Sequence, residues 1–517
     1  MRRKSLVAGA LILTAAGVLT RILGFVYRIY MSNIMGAEGM GLYQLILPVY
    51  GLAWSIACSG FSTTISKVIA AERVKGEYGN MGRVLKQSVA ITSAIGVALS
   101  LALYFCADVV GIYFFQDMRT ITALRILSIA FPFMAAGTCV RGYFLGLQET
   151  LVPAVNQVLE QCVRMIVIFF LAGYFIPRGL EYACVVSVIG IVCEEFISFL
   201  YIFLSYRSFK RKNKLTKRPS LSPRASLSLI LGMAMPLTAN RVCASLLATL
   251  ENVLIPQRLQ AFGMTADQAI GAFGQMSGMA MPLIYFPTAL LTSLSITLVP
   301  TVSEAVAVNQ LGKIRETISK SMLFTTISGM GAASLFLTFP DQLGMVIYHQ
   351  PIGQMLFILG LMCPFLYIQI IFSGILNGLG HQMFIFKVSL LSSCISILFI
   401  YFLVPLRGVN AFILGWFVSL TVSCTLEMNK IYDSIHLDLD AVNWVFKPAL
   451  AAAAAGLSMK WLGAHFLFPL FGSLFGLVIG ATLLGLMFCG LIMLTGVIDK
   501  SDLNRILKRR GASKAPA

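Results

Sequence analysis

Residues 20–28 read Thr-Arg-Ile-Leu-Gly-Phe-Val-Tyr-Arg, and they place two arginines, Arg21 and Arg28, inside the first long apolar segment of the chain. Seven residues turn a helix through about 700°, roughly 20° short of two full turns, so the two guanidiniums share one face about 10 Å apart along the axis. A charged group facing hydrocarbon costs at least ~2.5–3.5 kcal/mol, so this face should look into protein or water. One reading is a cavity that receives an anion, because a guanidinium suits phosphate better than lipid. The other is that Arg28 snorkels to the headgroups while Arg21 pairs with a buried acid.

The surrounding composition makes the membrane the relevant solvent. Of 517 residues, 58% are hydrophobic and 12% are charged, and the mean hydropathy is +0.85. Apolar runs longer than about 18 residues read as membrane spans. The longest polar interval, about 207–224, is too short to fold alone, which leaves no room for a soluble catalytic domain. The eleven cysteines fall in apolar segments and the four histidines lie at segment ends or in loops. Neither set has metal-ligand spacing, so no metal and no cofactor is expected. Met1–Lys4 and the run after it resemble a signal peptide, but the run is long, carries two arginines and lacks a clear cleavage site. It reads as a retained first span.

Hydropathy predicts an all-α polytopic membrane protein with about fourteen spans: 7–30, 42–66, 88–115, 122–147, 155–176, 182–206, 226–255, 270–298, 322–339, 355–379, 383–404, 410–429, 448–467 and 471–495. With the N-terminus in the cytoplasm, 29 of the 39 lysines and arginines fall on the inner side, Arg141 counted with the 4–5 connection. Only Arg119, Arg178, Arg258 and Arg407 fall outside, and Arg21, Arg28, Arg125, Arg164, Arg241 and Lys460 lie within spans. This asymmetry puts both termini in the cytoplasm. It also accounts for the formal net charge of +18 without a nucleic-acid partner.

The chain repeats itself. Pro132-Phe133, Gly142 and Gly146-Leu147 recur at an offset of 232 as Pro364-Phe365, Gly374 and Gly378-Leu379. Ser62, Thr64, Gly79 and Ser88 recur at an offset of 233 as Ser295, Thr297, Gly312 and Ser321. The unit is six helices, an even number, so two parallel lobes with a substrate site between them are expected. The domains are then 1–206 (first lobe), 207–225 (basic cytoplasmic linker), 226–429 (second lobe), 430–447 (connection), 448–495 (two further spans) and 496–517 (basic tail). The linker signals topology and attracts anionic headgroups. The Gly-x-x-x-Gly pairs of spans 4 and 10 read as close helix packing.

Each charge inside a span needs a partner or a cavity. Glu160 and Arg164 have the spacing of an ion pair on one helix. The alternative is that Arg164 lines the cavity and Glu160 tunes it. Glu194 and Glu195 lie mid-span and about 100° apart, so at most one should face a given cavity. One of them could carry a proton or pair with an arginine of another helix. Arg241, after Asn240, opens the second lobe much as Arg21 opens the first. Arg125, Asp108 and Lys460 should snorkel.

Three sets of residues carry a resemblance. Arg21–Arg28 is followed by Met35-Gly-Ala-Glu-Gly39 and Gly41-Leu-Tyr43. Arg141-Gly-Tyr-Phe-Leu-Gly-Leu-Gln148 is followed by Pro153 and Gln157–Arg164. Leu254–Leu259, Met281–Pro287 and Val299–Glu304 complete the set. Together they resemble the stage V sporulation protein B family of polysaccharide-biosynthesis flippases in the multidrug/oligosaccharidyl-lipid/polysaccharide (MOP) exporter superfamily. The resemblance implies a MATE-like fold with two six-helix lobes, a central cavity, and two extra C-terminal helices that shape a groove for a lipid tail. It implies a lipid-linked anionic saccharide as substrate, a peptidoglycan precursor for the spore cortex, and cell-wall synthases as candidate partners. Arginines that bind pyrophosphate map onto Arg21 and, less directly, Arg28. Unlike the Gram-negative lipid II flippases, Tyr43–Ile65 contains no basic residue.

The sequence therefore predicts a flippase, not an enzyme, in the bacterial cytoplasmic membrane. Arg21, Arg28, Arg164 and Arg241 are its substrate-binding candidates, and Glu160, Glu194 and Glu195 its ion- or proton-coupling candidates. A cation-coupled drug or metabolite antiporter on the same fold would use Glu160 or Glu194 instead. A glycan polymerase would need a large outer loop, and the longest, about 256–269 and 340–354, are small.

Overall fold

The computed structural model describes residues 6–213, 219–308, 310–436 and 440–497. The secondary structure of these residues is helical, as it must be where no water is present to satisfy backbone polar groups. Eleven helical segments among them are long and apolar enough to cross a membrane, and a bent pair (Met118–Ser128 with Ala130–Gly146, 43°) makes a twelfth. Two segments each contain two of the fourteen expected spans. Leu11–Val74 has 64 residues and Val442–Leu494 has 53. Sixty-four helical residues would extend about 96 Å, three times the ~30 Å hydrocarbon core. Both break at a glycine in the left-handed region, Gly36 (φ 68°) and Gly472 (φ 72°).

The first compact unit takes the described residues of 1–278 and 396–412. It contains α1 (Leu6–Trp54), α2 (Gly60–Val74), α3 (Tyr78–Val109), α4 (Ile121–Ser128), α5 (Ala130–Gly146), α6 (Leu151–Phe175), α7 (Leu180–Asn213), α8 (Pro223–Ala261) and α9 (Ala266–Phe273). Phe61, Ile65, Leu85, Phe144 and Ile230 are among the side chains that form its core between α2, α3, α5 and α8. α1 and α9 cross at Gly41 and Gly274, where backbone meets backbone. Beside that crossing, Arg119 pairs with Glu38 (2.5 Å), Asp117 (2.6 Å) and Asp267 (3.1 Å). Arg125 pairs with Asp108 at 2.7 Å instead of simply reaching for the interface.

The second compact unit takes the described residues of 279–395 and 413–517. It contains α10 (Met281–Tyr285), α11 (Thr288–Ala307), α12 (Leu311–Thr338), α13 (Pro340–Tyr348), α14 (Gly353–Gly378), most of α15 (Gln382–Phe402), most of α17 (Val409–Ile435), α18 (Lys447–Leu462) and α19 (Phe468–Leu494), while the short α16 (Val404–Arg407) belongs to the first. The expected span 270–298 is not one helix. It divides near Pro287, and the apolar membrane-length piece begins at Thr288. The compact units divide at Gly278 and Met279, whereas the repeat read from the sequence divides at the basic linker.

The repeat is visible as geometry inside each unit. α2 ends at Val74 and α11 at Ala307, while α3 begins at Tyr78 and α12 at Leu311, both offsets being 233. The residues capping α3 and α12 have the same backbone, Glu77 at φ −89°, ψ 66° and Gln310 at φ −89°, ψ 67°. A β-carbon on Gly142 would lie 2.8 Å from the Ser62 carbonyl oxygen, and one on Gly374 would lie 2.8 Å from that of Ser295. The glycine pairs of α5 and α14 thus press each helix onto its neighbour, as small residues do in membranes.

Candidate functional site

Four helices of the first unit enclose a polar cavity of about 270 Å³. α6 contributes Gln157, Glu160, Gln161 and Arg164, which at spacings of 3, 4 and 7 form one stripe of the helix. α5 contributes Thr138 and Arg141, α7 contributes Glu194 and Glu195, and α1 contributes Thr20, Arg21, Tyr50 and Trp54. Gly142 explains the aim of Arg141. That glycine is pressed against α2, so the side chain before it, 100° round the helix, is turned elsewhere. Thr20 Oγ1 donates to the Ala16 carbonyl at 3.0 Å and accepts from Gln157 Nε2 at 3.2 Å, which fixes α1 against α6 beside Arg21.

The charges are paired across helices. Arg164 meets Glu194 fork to fork, with Nε donating to Oε2 at 2.5 Å and Nη2 donating to Oε1. The glutamate side chain is 4% exposed and the arginine 24%. Arg141 Nη2 donates to Glu160 Oε1, which also accepts from Ser198 Oγ (2.6 Å) and Asn156 Nδ2 (2.8 Å). Tyr50 donates its hydroxyl to Glu195 Oε1. Arg21 is exposed at the cavity wall on α1. The lining thus has three arginines and three glutamates, formally neutral when all are ionised.

Several expectations change. Glu160 does not pair with Arg164 along α6. α5 brings Arg141 to Glu160, and α7 brings Glu194 to Arg164, where both forks can engage. Both adjacent glutamates line the cavity, because Glu194 turns to α6 and Glu195 to Tyr50 of α1. Arg28 is half-buried and Arg241 is exposed on α8, and neither lines this cavity. Arg141, counted with a cytoplasmic connection, is a wall residue within α5. Its signal was an arginine inside an apolar run that continues to Leu147. Tyr50 and the amides of Gln157 and Gln161 carried no charge and gave no such signal.

The cavity is smaller than the ~300–1,000 Å³ of small-molecule sites. It suits a charged group with a few waters. In the second unit a larger, mostly apolar groove of about 650 Å³ runs between α12, α14 and α18, lined by Met330, Leu337, Phe357, Leu361, Phe365 and Leu457 among others. Among the described residues, no cluster of His, Cys, Asp or Glu has the arrangement to hold a metal ion.

The chain as a whole is similar to known proteins. The model of the polysaccharide biosynthesis protein family matches residues 6–306. Stage V sporulation protein B of Bacillus subtilis (strain 168) is 29% identical over 401 residues, 77% of each chain. Lipid II flippase MurJ of the same organism is 26% identical over 374 residues, 67% of this chain and 65% of its own. Among solved structures, lipid II flippase MurJ in an inward closed conformation aligns with a TM-score of 0.68 at 14% identity, covering 94% of this chain and all of that one. A multidrug-resistance MATE family transporter of the MOP superfamily, facing inward, aligns with a TM-score of 0.66 at 14% identity, covering 83% of this chain and all of that one. The chain is therefore a multi-pass membrane protein with the fold of the MOP-superfamily transporters, and it belongs to the polysaccharide biosynthesis protein family.

Proposed function

We propose that this protein is an alternating-access flippase that moves an undecaprenyl-pyrophosphate-linked saccharide across the bacterial cytoplasmic membrane, with both termini in the cytoplasm. The observation that carries the reading is the first-unit cavity, where Arg21, Arg141 and Arg164 converge in a space the size of a charged group. Guanidinium forks match phosphate oxygens in pairs. Arg21 makes first contact with the diphosphate, Arg164 and Arg141 follow, and Arg28 and Arg241 lie further along the route. The sugars occupy wider aqueous space, and the polyprenyl tail stays in the hydrocarbon of the bilayer. That the relatives include a lipid II flippase supports a peptidoglycan precursor, and the likeness to a sporulation protein supports the spore cortex as its destination.

The glutamates supply the exchange. An arriving diphosphate competes with Glu194 for Arg164 and with Glu160 for Arg141. Proton uptake by Glu194 releases Arg164 to the phosphates, and proton loss returns it. Glu195, held by Tyr50, is a second proton site. An inside-negative potential adds roughly 2.3 kcal/mol per outward-moving negative charge per 100 mV, about 4–5 kcal/mol for two charges.

The test is flipping of a fluorescent undecaprenyl-pyrophosphate disaccharide-pentapeptide in proteoliposomes. Wild type should transport it and Arg21→Ala/Arg28→Ala should not. Equal transport by the double variant overturns the reading. The three glutamates on the same cavity favour one alternative, a cation-coupled antiporter. Dye efflux abolished by Glu194→Gln, with no lipid flipping by wild type, would establish it.

A further inference from the structure

A second polar cavity, of about 500 Å³, lies in the first unit away from the arginine–glutamate site. Its floor is one stripe of α3, formed by Gly79, Gly82, Arg83 and Lys86 at spacings of 3, 4 and 7. Tyr143 of α5 and Tyr206 of α7 close it from the side, their rings edge to face at 5.4 Å, and Lys210 stands one turn beyond Tyr206. Pro219 and Pro223, at the end of the basic linker, form the remaining wall.

This wall is tied down. Asn80 Oδ1 accepts from the Leu221 backbone N–H at 2.9 Å, Arg83 Nη1 donates to the Leu221 carbonyl, and Gln87 Nε2 donates to the Pro223 carbonyl at 3.0 Å. The nearby acids face other groups. Glu72 accepts from Asn80 (2.7 Å) and Lys75 (3.1 Å), and Glu77 accepts from Ser220 (3.2 Å). Among the described residues, the lining thus holds Arg83, Lys86 and Lys210 and no carboxylate. A β-carbon on Gly82 would meet nothing within 4 Å, so the floor is open.

We infer that this cavity is a binding site for a phosphate ester, distinct from the transport cavity, and that its ligand bridges α3, α7 and the end of the linker. Three cations, beside two tyrosine rings and the open space over Gly82, select an anionic group carried on a small organic body. The volume falls within the ~300–1,000 Å³ range of small-molecule sites. Charge asymmetry assigns this end of α3 and α7 to the cytoplasmic face, where basic pockets between membrane helices take lipid headgroups. The phosphate is that of an anionic glycerophospholipid or of a free phosphorylated metabolite.

The experiment uses the delipidated full-length protein and native mass spectrometry. Dioleoyl phosphatidylglycerol is compared with dioleoyl phosphatidylcholine, and glycerol 1-phosphate is the soluble competitor. One phosphatidylglycerol per chain should be retained with at least a tenfold preference. Lys86→Ala/Lys210→Ala and, separately, Gly82→Leu, which fills the floor without touching a charge, should each abolish that preference. Arg21→Ala should leave it unchanged, which separates this site from the transport cavity. Displacement by glycerol 1-phosphate identifies a free phosphate ester as the ligand, and no displacement identifies the lipid. Retention that survives both Gly82→Leu and Lys86→Ala/Lys210→Ala overturns the inference, as does equal retention of the two lipids by wild type. So does loss caused equally by Arg207→Ala/Arg211→Ala/Lys212→Ala, which lie outside the cavity.

Discussion

Gly41 of α1 and Gly274, just past the end of α9, face each other across a crossing with no room for a side chain. A β-carbon on Gly41 would lie 2.1 Å from the Ile270 carbonyl oxygen, and one on Gly274 would lie 1.9 Å from that of Ala37. The two contacts are reciprocal at an offset of 233, in residues as well as in distance. Backbone cannot yield as a flexible side chain can. Gly274→Ala should therefore lower stability by about 1–3 kcal/mol, the usual cost of overpacking. Gly271→Ala, where a β-carbon meets nothing within 4 Å, should be neutral or slightly stabilising. Thermal unfolding midpoints of the two variants in nanodiscs check this, and equal midpoints would contradict it.

Of Arg21 and Arg28, only Arg21 lines the polar cavity between α1, α5, α6 and α7. Arg21→Ala should abolish lipid flipping, while Arg28→Ala alone should retain most of it. Arg21→Lys should recover part of the rate, since a lysine restores charge without the fork. Initial flipping rates of the three single variants, at matched protein insertion, decide the point.

The Arg164–Glu194 pair predicts a split between two substitutions. Glu194→Ala leaves a largely buried guanidinium uncompensated, at a cost of about 3–5 kcal/mol. Glu194→Gln keeps a hydrogen-bond acceptor and should cost markedly less. If the carboxylate releases Arg164 by taking a proton, wild type should bind a soluble diphosphate more tightly as pH falls, and Glu194→Gln should flatten that dependence. Isothermal titration between pH 8 and pH 6 would show both effects.

His381, in the short connection after α14, is hydrogen-bonded to Ser434 Oγ at 3.1 Å. Burial, with a smaller contribution from the charge of Lys430, holds its imidazole below the usual histidine value. The unfolded chain therefore takes up this proton at a higher pH than the folded chain does. The resulting stability is present above about pH 6.5 and is lost as pH falls toward the folded-state value. His381→Gln should reduce the decline in unfolding midpoint between pH 7.5 and pH 5.5, and an unchanged slope would count against it.

The apolar runs, the repeat and the family resemblance are legible in the sequence, because hydropathy and motif spacing are local properties of the chain. Glycine breaks inside apolar runs are not. Gly36 and Gly472 look like any other membrane glycine until φ is known. Partner choice was hidden for a different reason. Glu160 and Arg164 satisfy the helical spacing of a pair, yet a buried charge takes the partner with the best geometry, and that partner arrives on another helix. Arg141 was visible as a residue but was assigned to the wrong environment, since a charge near the end of a hydrophobic run reads as its boundary.

The identical backbone of Glu77 and Gln310 has a practical reach. Helix starts, helix ends and glycine contacts are shared by the two copies, but the ionic chemistry is not. Ser373 stands at the offset of Arg141, and counting from Gly179 and Gly408, which precede α7 and α17, Ser423 and Cys424 stand where Glu194 and Glu195 do. One chain therefore carries an experiment together with its control. Damage that follows from altering either copy, as at Gly142 or Gly374, reports on mechanics. Damage confined to the earlier copy reports on recognition. Under the proposed function, specificity for the cargo changes by drift in the first copy, while the glycine contacts shared with the second hold the frame constant.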